Sequence, residues 1–320
     1  MPFAGSQFPG IGISRMNRNW YDYITDEVTI PRSVGYSPLN YDPRPATFNL
    51  PTTMQIDADL DAMKTAFDGF NTYSYVEEFT PYLVQSAIAK GFRGILLGVF
   101  DPRQQWELEG VVDLVKQYRN DIALSICLGS EGLFSGIYTW ADLGAAYTNV
   151  HRMLSPSERV PITTTEPVFY YTFLGYPDLS QPNFKGMHHF GDYLAPNIHP
   201  IFVFSDQPAQ PSVNFTRDTA ALYMNAGERS IYVKETGFPN NGTISMTTYT
   251  EAMQQDYWQK YRAPGLLIRK SSNPDIFCSY CSNFEAFDLE WKRIAVDGVE
   301  AHWGFLDANR QPYDAFTDLL

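Results

Sequence analysis

The sequence predicts an α/β fold, a (β/α)8 or TIM barrel forming a single domain over residues 1–320, with 1–30 as an N-terminal extension packed on the barrel. Three observations predict it. Short apolar runs alternate eight times with amphipathic segments, the pattern of parallel strands joined by right-handed crossovers. A length of 320 residues suits one such barrel with insertions. No G-x-G-x-x-G follows the first apolar run, so the dinucleotide-binding form of the competing open sheet lacks its signature.

The elements follow in order. The first strand is read at 33–36, ending in GYSP, and 54–65 carries apolar residues at helical spacing. A second strand closes within 66–73, and 80–90 is a helix stopped by Gly91. The run RGILLGV at 93–99 is the third strand, with an amphipathic helix at 106–118. The fourth strand is 122–128 and its helix 140–153; the fifth strand is 160–165. A short helical piece closes at 188–191 before the sixth strand, 193–198. Helix 216–225, strand 231–233, helix 250–261 and an eighth strand within 276–287 complete the set.

Composition narrows the chemistry. Apolar residues make up 44% of the chain and aromatics 15%, enough for a large core and for flat rings that pack on the C–H faces of sugars. The net charge of −13, with no basic run, excludes nucleic acid as an expected partner and leaves neutral ligands open. No stretch of 18 apolar residues is found, so no membrane span is expected. The opening MPFAGSQFPG has neither a charged n-region nor an apolar h-region, which fits a chain that stays inside the cell or one whose leader is already removed. The three cysteines, Cys127, Cys278 and Cys281, are too few for a disulfide framework. The CxxC pair lies in the strand-like run IFCSYCSNF, where residues three apart point to opposite faces, so buried thiols are expected. His188 and His189 adjoin on a helix and diverge, so no metal site is read there.

In such a barrel the site lies at the C-terminal ends of the strands. The polar residues there are Tyr36, Asn71 with Tyr73, Glu131, Glu166, Asn197 with His199, Glu235, and Glu285 with Asp288. Several carboxylates therefore converge on one mouth. Retaining glycoside hydrolysis needs two carboxyl groups about 5–5.5 Å apart, one protonated and one ionised. Neighbouring carboxylates push their pKa values apart and so supply that pair. Strands four and seven face each other across the mouth, which sets Glu131 opposite Glu235. Any one of these carboxylates could equally be a structural ion-pair partner; the joint placement carries the reading. No cofactor is implied, because carboxylate chemistry needs none.

The pieces GYSP (35–38), TYS (72–74), LGSEGL (128–133), TTTEP (163–167), NIHPIF (197–202), KETGFP (234–239), FEAFDLEWK (284–292) and VEAHWGF (299–305) occur in order along nearly the whole chain. In that order and spacing the chain resembles glycoside hydrolase family 17, the β-1,3-glucanases and β-1,3-glucanosyltransferases, as a divergent bacterial-type member. The resemblance implies Glu131 as general acid/base and Glu235 as nucleophile. It implies Lys292 and Glu300 around the nucleophile and Tyr36 in the cleft, with Glu166 a cleft contact or a structural ion pair. Four positions depart from the family pattern. Ser130 stands where the acid is usually preceded by Asn, Asn71 where Arg is usual, His199 where Tyr is usual, and Leu289 in place of a Glu.

The resulting substrate-binding set is Tyr36, Asn71, Tyr73, Ser130, Glu166, Asn197, His199, Phe202, Phe238, Glu285, Trp291, Lys292, Glu300 and Trp303. The expected cleft aromatics also include Phe169 and Tyr170, with some of these rings serving as core beneath the rim. Three functions are weighed: hydrolysis of β-1,3-glucan, glycosyl transfer by the same residues, and glucan binding with weak catalysis. A β-glucan oligo- or polysaccharide is the expected partner, a monomer the expected state, and the extracellular space, periplasm or cell surface the expected location, because the polymer lies outside the cell.

Overall fold

The computed structural model describes residues 19–171, 182–203, 209–244, 246–294 and 296–320. Five strands form on the expected apolar runs: β1 (Ser33–Gly35), β2 (Gly69–Asn71), β3 (Gly94–Val99), β4 (Ala123–Ser130) and β5 (Ile162–Thr165). They pair in parallel and in chain order. β3 and β4 hold the longest register, from Gly94↔Ala123 to Val99↔Leu128. Both strands are buried on both faces almost throughout, which is why they read as continuous apolar runs rather than alternating ones.

The later strands are shorter. β6 (Ile231–Tyr232) is followed by a small antiparallel pair, β7 (Thr243–Ile244) and β8 (Thr247–Thr248). β9 (Leu267–Lys270) pairs antiparallel with β10 (Asn273–Ser279), and β10 pairs parallel with β6. β11 (Ser282–Asn283) returns parallel to β1, so one curled sheet runs in the order β11-β1-β2-β3-β4-β5.

Two expectations are revised. The sixth strand at 193–198 is reduced to single bridges, Leu194↔Ile231, Pro167↔Asn197 and Asn197↔Glu235, all parallel. Pro196 within it has no N–H to give a regular ladder, although its carbonyl still accepts from Lys234 at 3.1 Å. The hairpin β9–β10 was not legible, because 267–270 has no period-2 burial: its two central residues are both exposed.

Helices cover the sheet. Thr53–Lys64 and Trp140–Met153 each open on a capping box, Thr52 with Gln55 and Thr139 with Asp142. Thr80–Ala89 is followed by Gly91 at φ 77°, a left-handed backbone that glycine takes without penalty. The helix Ala209–Gly227 is longer than the expected 216–225.

Of the expected N-terminal extension, residues 1–18 lie outside the described residues. The helix Asn19–Ile24 inserts Trp20 and Tyr23 among Leu96, Cys127, Tyr193, Tyr232 and Cys281. These residues form a second apolar cluster, separate from the main core. All three cysteines are buried free thiols. Among the described residues no helix is long and apolar enough to cross a membrane.

Candidate active site

The loops after β2, β4 and β6 meet at one cavity of about 570 Å³. Glu131 follows β4 and Glu235 lies three residues beyond β6; both line it, with Tyr36, Tyr73, Ser130, Asn197, Trp291 and Lys292.

Glu131 sits in the left-handed region, φ 54°. Its N–H is fixed to the Thr165 carbonyl at 2.9 Å, and its carboxylate accepts from the Asn197 amide at 2.8 Å. Burial, then the charge of Glu235, raises its pKa above the ordinary carboxylate value. Raised is the direction a general acid needs.

Glu235 is the opposite case. It is 5% exposed, its backbone carbonyl accepts from Ile198 at 2.8 Å, and its side chain meets a buried cation, Lys234, at 2.5 Å. His199 places Nε2 3.4 Å from the other oxygen. Burial alone would push this carboxyl up. Lys234 and His199 outweigh it and hold the group at about 2, so it is ionised at any ordinary pH. Lys234 is itself 1% exposed and lies 4.6 Å over the Tyr73 ring. The Tyr73 hydroxyl is buried with no partner among the described residues, and burial followed by the charges of Glu235, Glu285 and Glu131 pushes its pKa well up.

A second buried carboxylate, Glu285, takes both hydrogen bonds of Lys292, at 2.9 and 2.7 Å. Burial, opposed by Lys292, pushes Glu285 up to about 7, and Glu300 adds to the rise. Lys292 therefore neutralises Glu285, whereas the sequence placed it beside Glu235. The cation on Glu235 is Lys234. Nothing local flagged it, since adjacent strand residues normally face opposite ways.

The other expected cleft residues divide between the cavity wall and the core. Asn71 is fully buried inside the sheet, donating to Ser282 at 2.7 Å and accepting from Tyr232 at 2.8 Å, so its amide ties strand ends together. Glu166 is fully buried, and its oxygens accept from the Leu133 and Phe134 amides at 3.0 Å each. It is an anchor for the loop that carries Glu131, and among the described residues it neither lines the cavity nor forms an ion pair. Burial, against the pull of those two amides, sets its carboxyl at about 7. Phe238 is a core ring, stacked 5.2 Å from Tyr257. Trp303 is fully buried 5.0 Å from the His199 ring and supports it from behind. Phe202 stands on the rim, 42% exposed and 6.1 Å from both His199 and Trp303. Phe169 is exposed, and Tyr170 lies 6.3 Å from Trp140. Tyr36 borders the cavity, but its hydroxyl is committed to Asp59 at 2.9 Å. Asp288 is occupied by Asn240, His302 and Tyr313.

Sequence reasoning missed further residues of this cavity, among them Tyr75, Phe100, Trp106 and Glu107. The first three are aromatics beyond the expected motifs, and Glu107 falls within the segment 106–118, read only as an amphipathic helix.

The fold is that of known carbohydrate enzymes. A β-1,3-glucanosyltransferase of Rhizomucor miehei, described as glycoside hydrolase family 17, matches at TM-score 0.63 and 17% identity, over 89% of this chain and 96% of that one. An active-site mutant of the same Rhizomucor miehei enzyme, in complex with laminaritriose, matches at TM-score 0.62 and 17% identity over the same shares. A Bifidobacterium dentium β-glucuronidase matches at TM-score 0.58 and 14% identity, over 90% of this chain and 45% of that one. No curated protein matches the chain by sequence. The family model sets the class, a glycoside hydrolase domain. Residues 34–304 match the BtgE/BtgC glycoside hydrolase domain, and the chain belongs to that family.

Proposed function

We propose that this chain is a retaining glycoside hydrolase of β-1,3-glucan, a family 17-like enzyme built as one complete eight-stranded barrel. The observation that carries the reading is the opposed state of two carboxyls on one cavity: Glu131 raised by burial and by Glu235, Glu235 held at about 2 by Lys234 and His199. Glu235 attacks the anomeric carbon while Glu131 passes its proton to the departing glycosidic oxygen. The bond between sugars breaks and a glycosyl ester on Glu235 forms. Glu131, now ionised, takes a proton from water, whose oxygen displaces Glu235 with overall retention. Asn197 orients Glu131, and His199 orients Glu235. The bridges at Leu194, Asn197 and Glu235, with β6 on β10 and β11 on β1, support closure of the sheet into a barrel. Action on an extracellular polymer goes with an exported monomer.

Transfer to a sugar hydroxyl in place of water is the second reading, favoured by the likeness to the Rhizomucor miehei glucanosyltransferase. Incubation with laminari-oligosaccharides tests both. Shorter products of retained configuration support hydrolysis, and products longer than the starting oligomer support transfer. Binding without any product, unchanged by Glu235→Gln, leaves a glucan-binding protein.

A further inference from the structure

The cavity is also lined by three aromatic side chains that the two-carboxylate chemistry does not use, Tyr75, Phe100 and Trp106. Phe100 is 46% and Trp106 is 51% exposed, and Tyr75 is half-buried with its ring centroid 6.2 Å from that of Trp106. Exposed apolar rings grouped on one cavity, unlike rings scattered singly over a surface, mark a binding site.

The backbone that carries these rings is tied down. The carboxylate of Glu107, 3% exposed, accepts from the backbone amides of Tyr75 at 3.2 Å, Phe100 at 2.8 Å and Asp101 at 3.2 Å. One buried group thereby ties the loop after β2 and the loop after β3 to the helix Gln105–Tyr118, on which Trp106 is the neighbouring residue. Gly110 on that helix makes room for the Tyr75 ring, since a Cβ there would lie 2.3 Å from it. The Glu107 oxygens are engaged by these amides, so the platform offers apolar faces rather than a free charge. The chain's −13 charge further disfavours an anionic ligand.

We propose that Tyr75, Phe100 and Trp106 form a remote sugar subsite, which stacks a neutral pyranose ring several units along the glucan whose scissile bond lies at Glu131 and Glu235. The proposal rests on the glycoside hydrolase reading above and names the part of the chain that reads substrate length. Its occupant is set by continuity: the same cavity holds both carboxylates and all three rings. A backbone ordered before binding reduces the freedom lost when the sugar arrives.

The test is calorimetric binding of laminaribiose and laminarihexaose to the Glu131→Gln chain, alone and with Trp106→Ala or Trp106→Phe. Loss of the indole weakens laminarihexaose by about tenfold, laminaribiose by far less, and Trp106→Phe recovers most of the loss. An equal loss at both lengths, or none at laminarihexaose, overturns the subsite. If only cello-oligosaccharides bind, with the same length-dependent loss, the β-1,3 reading fails and the subsite stands. If no β-glucan binds, both fall.

Discussion

The two sides of the cavity hold the same side chain in contrasting ways. Glu131 sits on a loop, its backbone left-handed, its carboxylate touched by a neutral amide, and the loop itself anchored from below by Glu166. Glu235 lies beyond β6 in a single bridge with Asn197, is buried, and is clasped by a cation and an imidazole. A glutamate has no fixed protonation state. On one side burial and a neighbouring anion raise the carboxyl, and on the other a buried cation at its flank lowers it.

The largest effect should come from breaking the two sides in turn. Glu131→Ala is expected to lower kcat on β-1,3-glucan by about 10²–10⁴-fold, the usual worth of a general acid/base. Glu235→Ala lowers it at least as far. An aryl β-glucoside with a good leaving group separates them, because departure then needs no proton. Glycosyl-enzyme formation on it, read as the pre-steady-state burst, survives Glu131→Ala and not Glu235→Ala. Equal loss of the burst in both would mean the roles are not divided this way.

Lys234→Met removes the cation from the anionic side. Breaking a buried pair costs about 3–5 kcal/mol, read by denaturant unfolding. The carboxyl of Glu235 then rises from about 2, because burial is opposed by His199 alone. Activity is lost as pH falls through the pKa of the nucleophile, so the acid limb of kcat/KM should move to higher pH. An unmoved limb would show that Lys234 does not set the charge of Glu235.

Glu166→Gln loosens the acidic side. The Gln side chain keeps one acceptor oxygen and turns an NH2 toward the other backbone N–H, leaving a buried donor unmatched at an expected cost of about 1–3 kcal/mol. The parent carboxyl ionises as pH rises through about 7 and only then holds both amides with full charge. The kcat deficit of the variant should therefore widen above pH 7 and narrow below it. A deficit constant across pH would leave Glu166 as simple packing.

The alternation of apolar runs and amphipathic segments made the first five strands and their helices legible, because buried parallel strands are apolar on both faces. The sixth resisted because Pro196 and isolated bridges replace a ladder there. The carboxylates at 131 and 235 were readable as strand-end residues within ordered motifs. Which cation served which carboxylate was not. Lys292 meets Glu285 across a seven-residue return, while Lys234 bends to its own neighbour, and only the packed structure decides between them. Asn71 and Phe238 stood at strand ends like true cleft residues. Whether a strand end points into the sheet interior or out of the mouth depends on register, which strand periodicity alone leaves open.

The positive φ of Glu131 has a consequence of its own. A side chain with a Cβ sits in that conformation at an energetic disadvantage of roughly 1–3 kcal/mol, and glycine would not. The most comfortable residue for that backbone is therefore one incapable of donating a proton. Selection for robustness and selection for turnover pull in opposite directions at this codon, and a search for hardier variants would drift toward silence there first.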